Sequence, residues 1–200
     1  VTATRPNDVA ADPTVALALE AAVARRDSSA RRTIQTQRLA TVQRIVRAQL
    51  YASPDAFTHF SILALATAGR GLPGERFERE TLAEHLAIYV AALSRVSEAV
   101  ELVLSTADDR SGRALLETVR DRWQADPRVR VREDPRRLPG QRYYRKACFK
   151  VHATIGGENV EMVDGGFTDW MSRLLDDRRE RLLISGAGLD RPALALGSNR

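Results

Sequence analysis

The sequence predicts an α/β fold of the α+β kind: an antiparallel sheet packed by helices, with the helices concentrated in the N-terminal half. Three observations predict it. From Ala147 the residues alternate, with Ala147, Phe149, Val151, Ala153 and Ile155 on one face and Cys148, Lys150, His152 and Thr154 on the other, which is the period of a half-buried strand. Gly156-Gly157 follows and supplies the positive φ angles of a two-residue hairpin turn. Counting outward from that turn sets Ile155 against Glu158, Ala153 against Val160, His152 against Glu161 and Val151 against Met162, so apolar residues meet on one face and an acid–imidazole pair forms on the other. The third observation lies upstream, where Leu82, Leu86, Tyr89, Leu93, Val96, Val100 and Val103 step by fours and threes. That spacing predicts a long helix over 78–105 with a buried or coiled-coil-like seam.

The other elements follow in order. Residues 1–13 carry Pro6, Asn7, Asp8 and Pro13 and read as a flexible tail. Residues 14–200 read as one domain, mainly helical over 14–125 and sheet-forming over 128–200. Val15 to Arg26 is alanine-rich and predicts a helix. Ile34, Leu39, Val42, Ile45, Val46 and Leu50 predict a second over 31–50; its polar side, with Gln35, Arg38 and Arg44, is a solvated face or a phosphate contact. Residues 57–70 are apolar enough for a buried helix or a central strand, and His59 is expected in or near the core. A helix over 113–123 precedes Asp126-Pro127, and Val129 and Val131 alternate with Arg128, Arg130 and Arg132 as an edge strand. Those arginines guard a sheet edge or meet RNA. After the hairpin, Asp164-Gly165-Gly166-Phe167 reads as a turn. Thr168 then caps a helix with Trp170, Met171, Leu174 and Leu175 as its stripe and Arg178, Arg179 and Arg181 at its end. Leu182-Leu183-Ile184 reads as a buried strand, Ser185-Gly186-Ala187-Gly188 as a tight turn, and Asp190 with Pro192 as the start of a last helix.

Composition sets outer bounds. The apolar share of 44% and charged share of 28% suit a globular domain. No apolar run reaches the roughly 20 residues of a membrane span, and a single cysteine, Cys148, leaves no internal disulfide. A cytoplasmic setting is expected. The chain begins at Val1, as a literally translated GTG start codon would give. The net charge of +5 invites an RNA partner, but only Lys146 and Lys150 are lysine, and that arginine bias is what a GC-rich genome produces. There is no serine–histidine–acid pattern, no metal-ligand spacing and no complete dinucleotide fingerprint.

Three blocks carry a resemblance. Gly140, Tyr143, Tyr144 and Phe149, then Gly165-Gly166-Phe167-Thr168-Asp169, then Gly186-Ala187-Gly188-Leu189-Asp190-Arg191 resemble, in order and rough spacing, the end of the catalytic domain of class II aminoacyl-tRNA synthetases, closest to histidyl-tRNA synthetase and its paralogues. The likeness covers about a quarter of the chain. It implies a substrate-holding strand with Tyr143 and Tyr144, a glycine-walled pocket at Gly165 and Gly166, and a nucleotide site at Gly186, Gly188 and Arg191. There a planar guanidinium stacks on a base and forks onto phosphate. Glu161 and Asp164 would hold a substrate amine or magnesium. ATP with magnesium is the implied cofactor, and a carboxylic or amino acid the implied substrate. Phe57-Thr58-His59-Phe60 is similar to the end of the family's second signature, with Arg44 and Arg47 as candidate phosphate ligands. The departures are specific. The substrate-strand arginine falls on Pro139, the acid that ends that strand falls on Lys150, and the arginine-tyrosine of the glycine turn is Phe167-Thr168. Three functions stay open: an adenylating enzyme, a non-catalytic regulatory or assembly subunit working as a homodimer or with a partner subunit, and an RNA-binding module.

Overall fold

The computed structural model describes residues 12–26, 35–46, 59–106, 110–136 and 144–190. Along them run α1 (Pro13–Arg25), β1 (Gln37–Val46), β2 (His59–Arg70), a 3-10 turn at Pro73–Glu75, α2 (Arg76–Leu93), β3 (Ala99–Thr106), α3 (Arg110–Trp123), β4 (Val129–Glu133), β5 (Tyr144–Ile155), β6 (Glu158–Thr168), α4 (Trp170–Leu174) and β7 (Glu180–Gly188). The strands form one sheet in the order β1-β2-β7-β6-β5-β3-β4. All neighbours are antiparallel except β3 and β4. The α/β class expected from sequence is the one observed, and β4 is an edge strand as its alternating valines and arginines indicated.

The helices divide between the two faces because the strands present apolar residues to both. On one face, α2 and α3 bury Leu82, Leu86, Leu115 and Val119 among Leu102, Leu104, Phe149, Val151 and Leu183. On the other, α1 and α4 pack Ala18, Ala21, Ala22 and Met171 onto Ala66, Ala68, Leu182 and Ile184. The Asp12 carboxylate starts α1 by accepting from the Thr14 N–H at 2.9 Å, with Pro13 in the first turn.

Two polar arrangements cross this core. At the end of α1, the Arg25 guanidinium donates to both oxygens of Glu180 at 2.6 and 3.0 Å and to the Gln35 carbonyl at 2.8 Å. Both side chains of the pair are buried. Under α2, the two ring nitrogens of His85 meet the Thr67 hydroxyl at 2.9 Å and the Ser185 hydroxyl at 2.8 Å, and the Tyr89 hydroxyl meets Ser185 at 2.8 Å. Burial, assisted by the Arg38 charge, depresses the His85 pKa to about 3. Burial also holds the Tyr89 phenol well above its usual value, against the smaller opposing effect of its bond to Ser185.

Several expectations are corrected. Within 31–50 the described residues form β1, not a helix. Leu39 and Ile45 share one face with Thr41 between them, and the β-branched Thr41, Val42, Ile45 and Val46 suit a pleated surface. The long helix expected over 78–105 stops at Leu93, and Ala99–Thr106 is β3. Val100 and Val103 continued the helical count by coincidence, while Val100, Leu102 and Leu104 follow period two and are buried. The N-terminal half is therefore helices alternating with β1, β2 and β3 rather than helix-rich. His59 is exposed at the start of β2, not in the core.

The hairpin register holds at Ile155–Glu158, Ala153–Val160 and His152–Glu161, but Val151 faces Val163 rather than Met162. One extra residue, Met162, makes a bulge that shifts the rest of β6 by one. Thr168 is the last residue of β6 rather than a cap, and α4 begins after Asp169. Of the stripe expected there, Leu174 is exposed, and Arg181 lies in β7 rather than at the helix end.

Candidate functional site

The face of the sheet opposite α2 carries Tyr144, Lys150, Asp164, Gly166 and Gly186 among the residues singled out by sequence, whereas Phe149 and Gly165 face α2. Cross-strand pairing sets one row across it: Val103 of β3, Lys150 of β5, Asp164 of β6, Gly186 of β7 and Ala64 of β2. A cation, a carboxylate and a glycine thus sit side by side. Gly188 shares the face of Gly186, two residues on.

The glycines serve two purposes. Gly165 and Gly166 are not in a turn; both lie inside β6, and neither has a positive φ. A Cβ on Gly165 would stand 2.6 Å from the Phe149 ring and 2.8 Å from the Ile184 carbonyl oxygen. One on Gly166 would stand 2.5 Å from the Tyr144 ring and 2.8 Å from the Cys148 Cβ. Their missing side chains let Phe149 and Tyr144 lie flat on the sheet. Gly186 and Gly188 lie within β7, again not in a turn. A Cβ on Gly186 would meet only Ile62, at 3.4 Å, and one on Gly188 nothing within 4 Å. Among the described residues nothing covers Gly188, which leaves the floor of the face open there. Gly166→Val is accordingly expected to destabilise the fold by about 1–3 kcal/mol through overpacking. Urea unfolding checks this, and an unchanged midpoint would mean that Tyr144 yields without cost.

The polar groups of this face are engaged with one another. The Tyr144 hydroxyl donates to Asp164 at 2.6 Å. Lys150 forms an ion pair with Glu161, so the carboxylate expected beside His152 is taken by the lysine two residues away. Asp190, expected to cap a helix, accepts from the Ser61 N–H at 2.5 Å while the Leu189 N–H donates to the Ser61 carbonyl at 2.9 Å, tying the chain after β7 to β2. Gly140, Tyr143, Arg47, Phe57, Thr58 and Arg191 lie outside the described residues, and so do the residues beyond Asp190 over which a last helix is expected. Arg44 is exposed on β1.

What the row offers chemically is a carboxylate acceptor beside an open glycine floor, with an ammonium on its other flank. Gly186 and Gly188 fit a flat ligand lying close to the backbone. Magnesium fits less well: Glu161 and Asp164 are held by Lys150 and Tyr144, and among the described residues no three histidine, cysteine or acidic side chains gather to hold a metal.

No family model and no curated protein matches the chain. Solved structures do. S. aureus histidyl-tRNA synthetase superposes at a TM-score of 0.70 with 19% identity over 94% of this chain and 52% of its own. An ATP phosphoribosyltransferase regulatory subunit/histidyl-tRNA synthetase from Bacillus halodurans gives 0.62, with 16% identity over 93% and 64%. The ATP phosphoribosyl transferase HisG:HisZ complex from Thermotoga maritima gives 0.58, with 12% identity over 92% and 81%. The chain has a class II aminoacyl-tRNA synthetase-like fold. It spans about half the length of the S. aureus synthetase. In this synthetase-like fold, Tyr144 and Phe149 of the first block, Gly165 to Thr168 of the second and Gly186 to Gly188 of the third lie in β5, β6 and β7, three adjacent strands of one sheet. No described helix is long and apolar enough to cross a membrane.

The sequence does not announce the Arg25–Glu180 pair or the His85 network. Each left a trace. Glu180 immediately precedes an apolar strand, and His85 interrupts the apolar seam between Leu82 and Leu86.

Proposed function

We propose that this chain is a diverged histidyl-tRNA-synthetase-like paralogue that binds a nucleotide and a small carboxylic or amino acid on the open sheet face and serves as a non-catalytic subunit. The observation that carries this reading is the row Lys150–Asp164–Gly186 with the open floor at Gly188. The floor is retained, while Lys150 stands where the resemblance places an acid and neutralises Glu161. A face so paired retains room for a ligand but lacks the free carboxylates that would order a magnesium-bound triphosphate. The regulatory-subunit wording belongs to the B. halodurans neighbour; here it is an expectation.

Adenylation is the second reading, favoured by the retained glycines of β7. RNA binding has less support, because Arg128, just before β4, and Arg132 within it lie beside Asp126 and Glu101 at 3.7 and 3.5 Å, which offsets their charge.

The test is thermal stability with ATP, with ATP and magnesium, and with each amino acid, followed by ATP–pyrophosphate exchange. Ligand binding to the folded state raises Tm. A shift with ATP or one amino acid, lost in Gly188→Val, is expected, with no exchange above background. Exchange driven by one amino acid would establish adenylation instead, and no shift with any ligand would overturn the binding site.

A further inference from the structure

Helices α2 and α3 start side by side, because the Ser111 hydroxyl in the first turn of α3 donates to Glu75 just before α2 at 2.5 Å. They run the same way, because β2 and β3, which they follow, point the same way in the sheet. Along their outer side lies an open groove of about 840 Å³. Its floor is Ala83, Ala87 and Ala91 of α2, which recur at a spacing of four and leave a furrow about two turns long. Ile88, which is 43% exposed, stands on one wall. Thr118 of α3 stands on the other, with its hydroxyl engaged by the Ala114 carbonyl of its own helix at 2.8 Å.

The rim is charged. Glu80 is held by Arg76 at 2.7 Å and Glu84 by Arg38 at 2.6 Å, so the acids of the groove are neutralised, and Arg79 and Arg122 set its sign. Neither arginine is explained by its own helix. Arg79 is the fourth residue of α2, near the end where a cation opposes the helix dipole. Arg122 has its guanidinium 5.3 Å from the centroid of the Trp123 ring, a contact that holds the charge in place.

We infer that this groove is a docking site for an acidic amphipathic helix of another protein. Leucine-type side chains at a spacing of four would fill the alanine furrow, and carboxylates would meet Arg79 and Arg122. A furrow between two helices takes the side-chain ridge of a third, and a guanidinium forks onto a carboxylate. The net charge of +5 extends the attraction beyond the contact itself. An RNA strand fits worse, because the floor offers no aromatic ring for a base to stack on, and Glu80 and Glu84 line the same groove. The groove lies on the side of the sheet away from the Lys150–Asp164–Gly186 row, so it stands apart from the ligand site proposed there.

Two fluorescein-labelled helical peptides of about 18 residues test this by anisotropy with the full chain. Both carry leucine at a spacing of four; the other exposed positions are glutamate in one and lysine in the other. The glutamate peptide is expected to bind at least about tenfold more tightly than the lysine peptide, and more weakly as salt is raised. Ile88→Ser is expected to weaken it at least about tenfold. The double variant Arg79→Glu, Arg122→Glu is expected to reverse the preference between the peptides. These side chains are exposed, so the variants should fold; circular dichroism confirms it. Leu19→Ser and Val42→Ser, at exposed apolar residues of α1 and β1, are expected to leave binding unchanged, which separates the groove from general hydrophobic adhesion. No binding of the glutamate peptide, equal affinity for both peptides, or binding indifferent to Ile88→Ser would each overturn the proposal. Displacement of the peptide by polyuridine RNA would overturn it too, by giving the groove to a nucleic acid.

Discussion

Glu180→Ala is expected to destabilise the protein by about 3–5 kcal/mol, the cost of leaving a guanidinium buried without its carboxylate. Arg25 and Glu180 are both buried and meet through two N–H to O contacts. Attraction in that setting is strong, but so is the cost of taking both charges out of water, and the net worth of the intact pair is small. The asymmetry decides the design of the experiment. Removing one partner should be severe, whereas Arg25→Met with Glu180→Leu should recover much of the loss, because neither variant side chain carries a charge into the core. Urea unfolding of the wild type, each single variant and the double variant measures the coupling directly. A single variant that costs under about 1 kcal/mol would show that water reaches the pair. The pair also fixes α1 to the first residue of β7, so a weakened pair should loosen that helix.

How much of this architecture the sequence disclosed depended on distance along the chain. The β5–β6 hairpin was readable because Gly156-Gly157 fixes the register of its neighbours, and the reading failed only at Met162, where a bulge adds a residue that no local pattern announces. Gly165 and Gly166 were visible as a pair, but a turn and a flat strand packed under aromatic rings use the same residue. What separates them is the position of Phe149 and Tyr144 across the sheet. Likewise the apolar count through Val100 and Val103 satisfied both a helix and a strand, and the end of α2 at Leu93 settled it. The polar core was the least legible. Arg25 and Glu180 are 155 residues apart, and His85 and Ser185 are 100 apart. Their partnership exists only once β7 lies beside β2. For the site, the glycine spacing in β7 pointed to the open floor at Gly188, whereas the engagement of Asp164 by Tyr144 and of Glu161 by Lys150 needed the strands in register.

The second large effect is a loss of stability on mild acidification, expected from His85. The folded state holds this ring neutral between two hydroxyls, with its pKa lowered to about 3 from 6.5. The unfolded chain has no such constraint, so between those values it binds a proton that the folded state does not. Stability contributed by this residue is therefore complete above about pH 6.5 and is lost as pH falls toward 3. From pH 8 to pH 5 the loss is about 2 kcal/mol, and it reaches on the order of 5 kcal/mol by pH 3. The window from pH 6.5 to 5 is the diagnostic one, because most carboxylates are still ionised there. The charges facing the ring are Arg38, which opposes its protonation, and Glu84, held by Arg38 at 2.6 Å; Tyr89 and Thr67 contribute neutral hydroxyls. Unfolding free energies at pH 8, 6.5 and 5, for the wild type and for His85→Gln, separate this residue from the rest. The variant should be less stable at pH 8 but nearly flat across the window, since glutamine keeps a hydrogen-bonding end and has no proton to gain. A wild-type curve equally flat would mean that the folded state accepts the proton, and that His85 is reached by solvent through the space between β1 and α2.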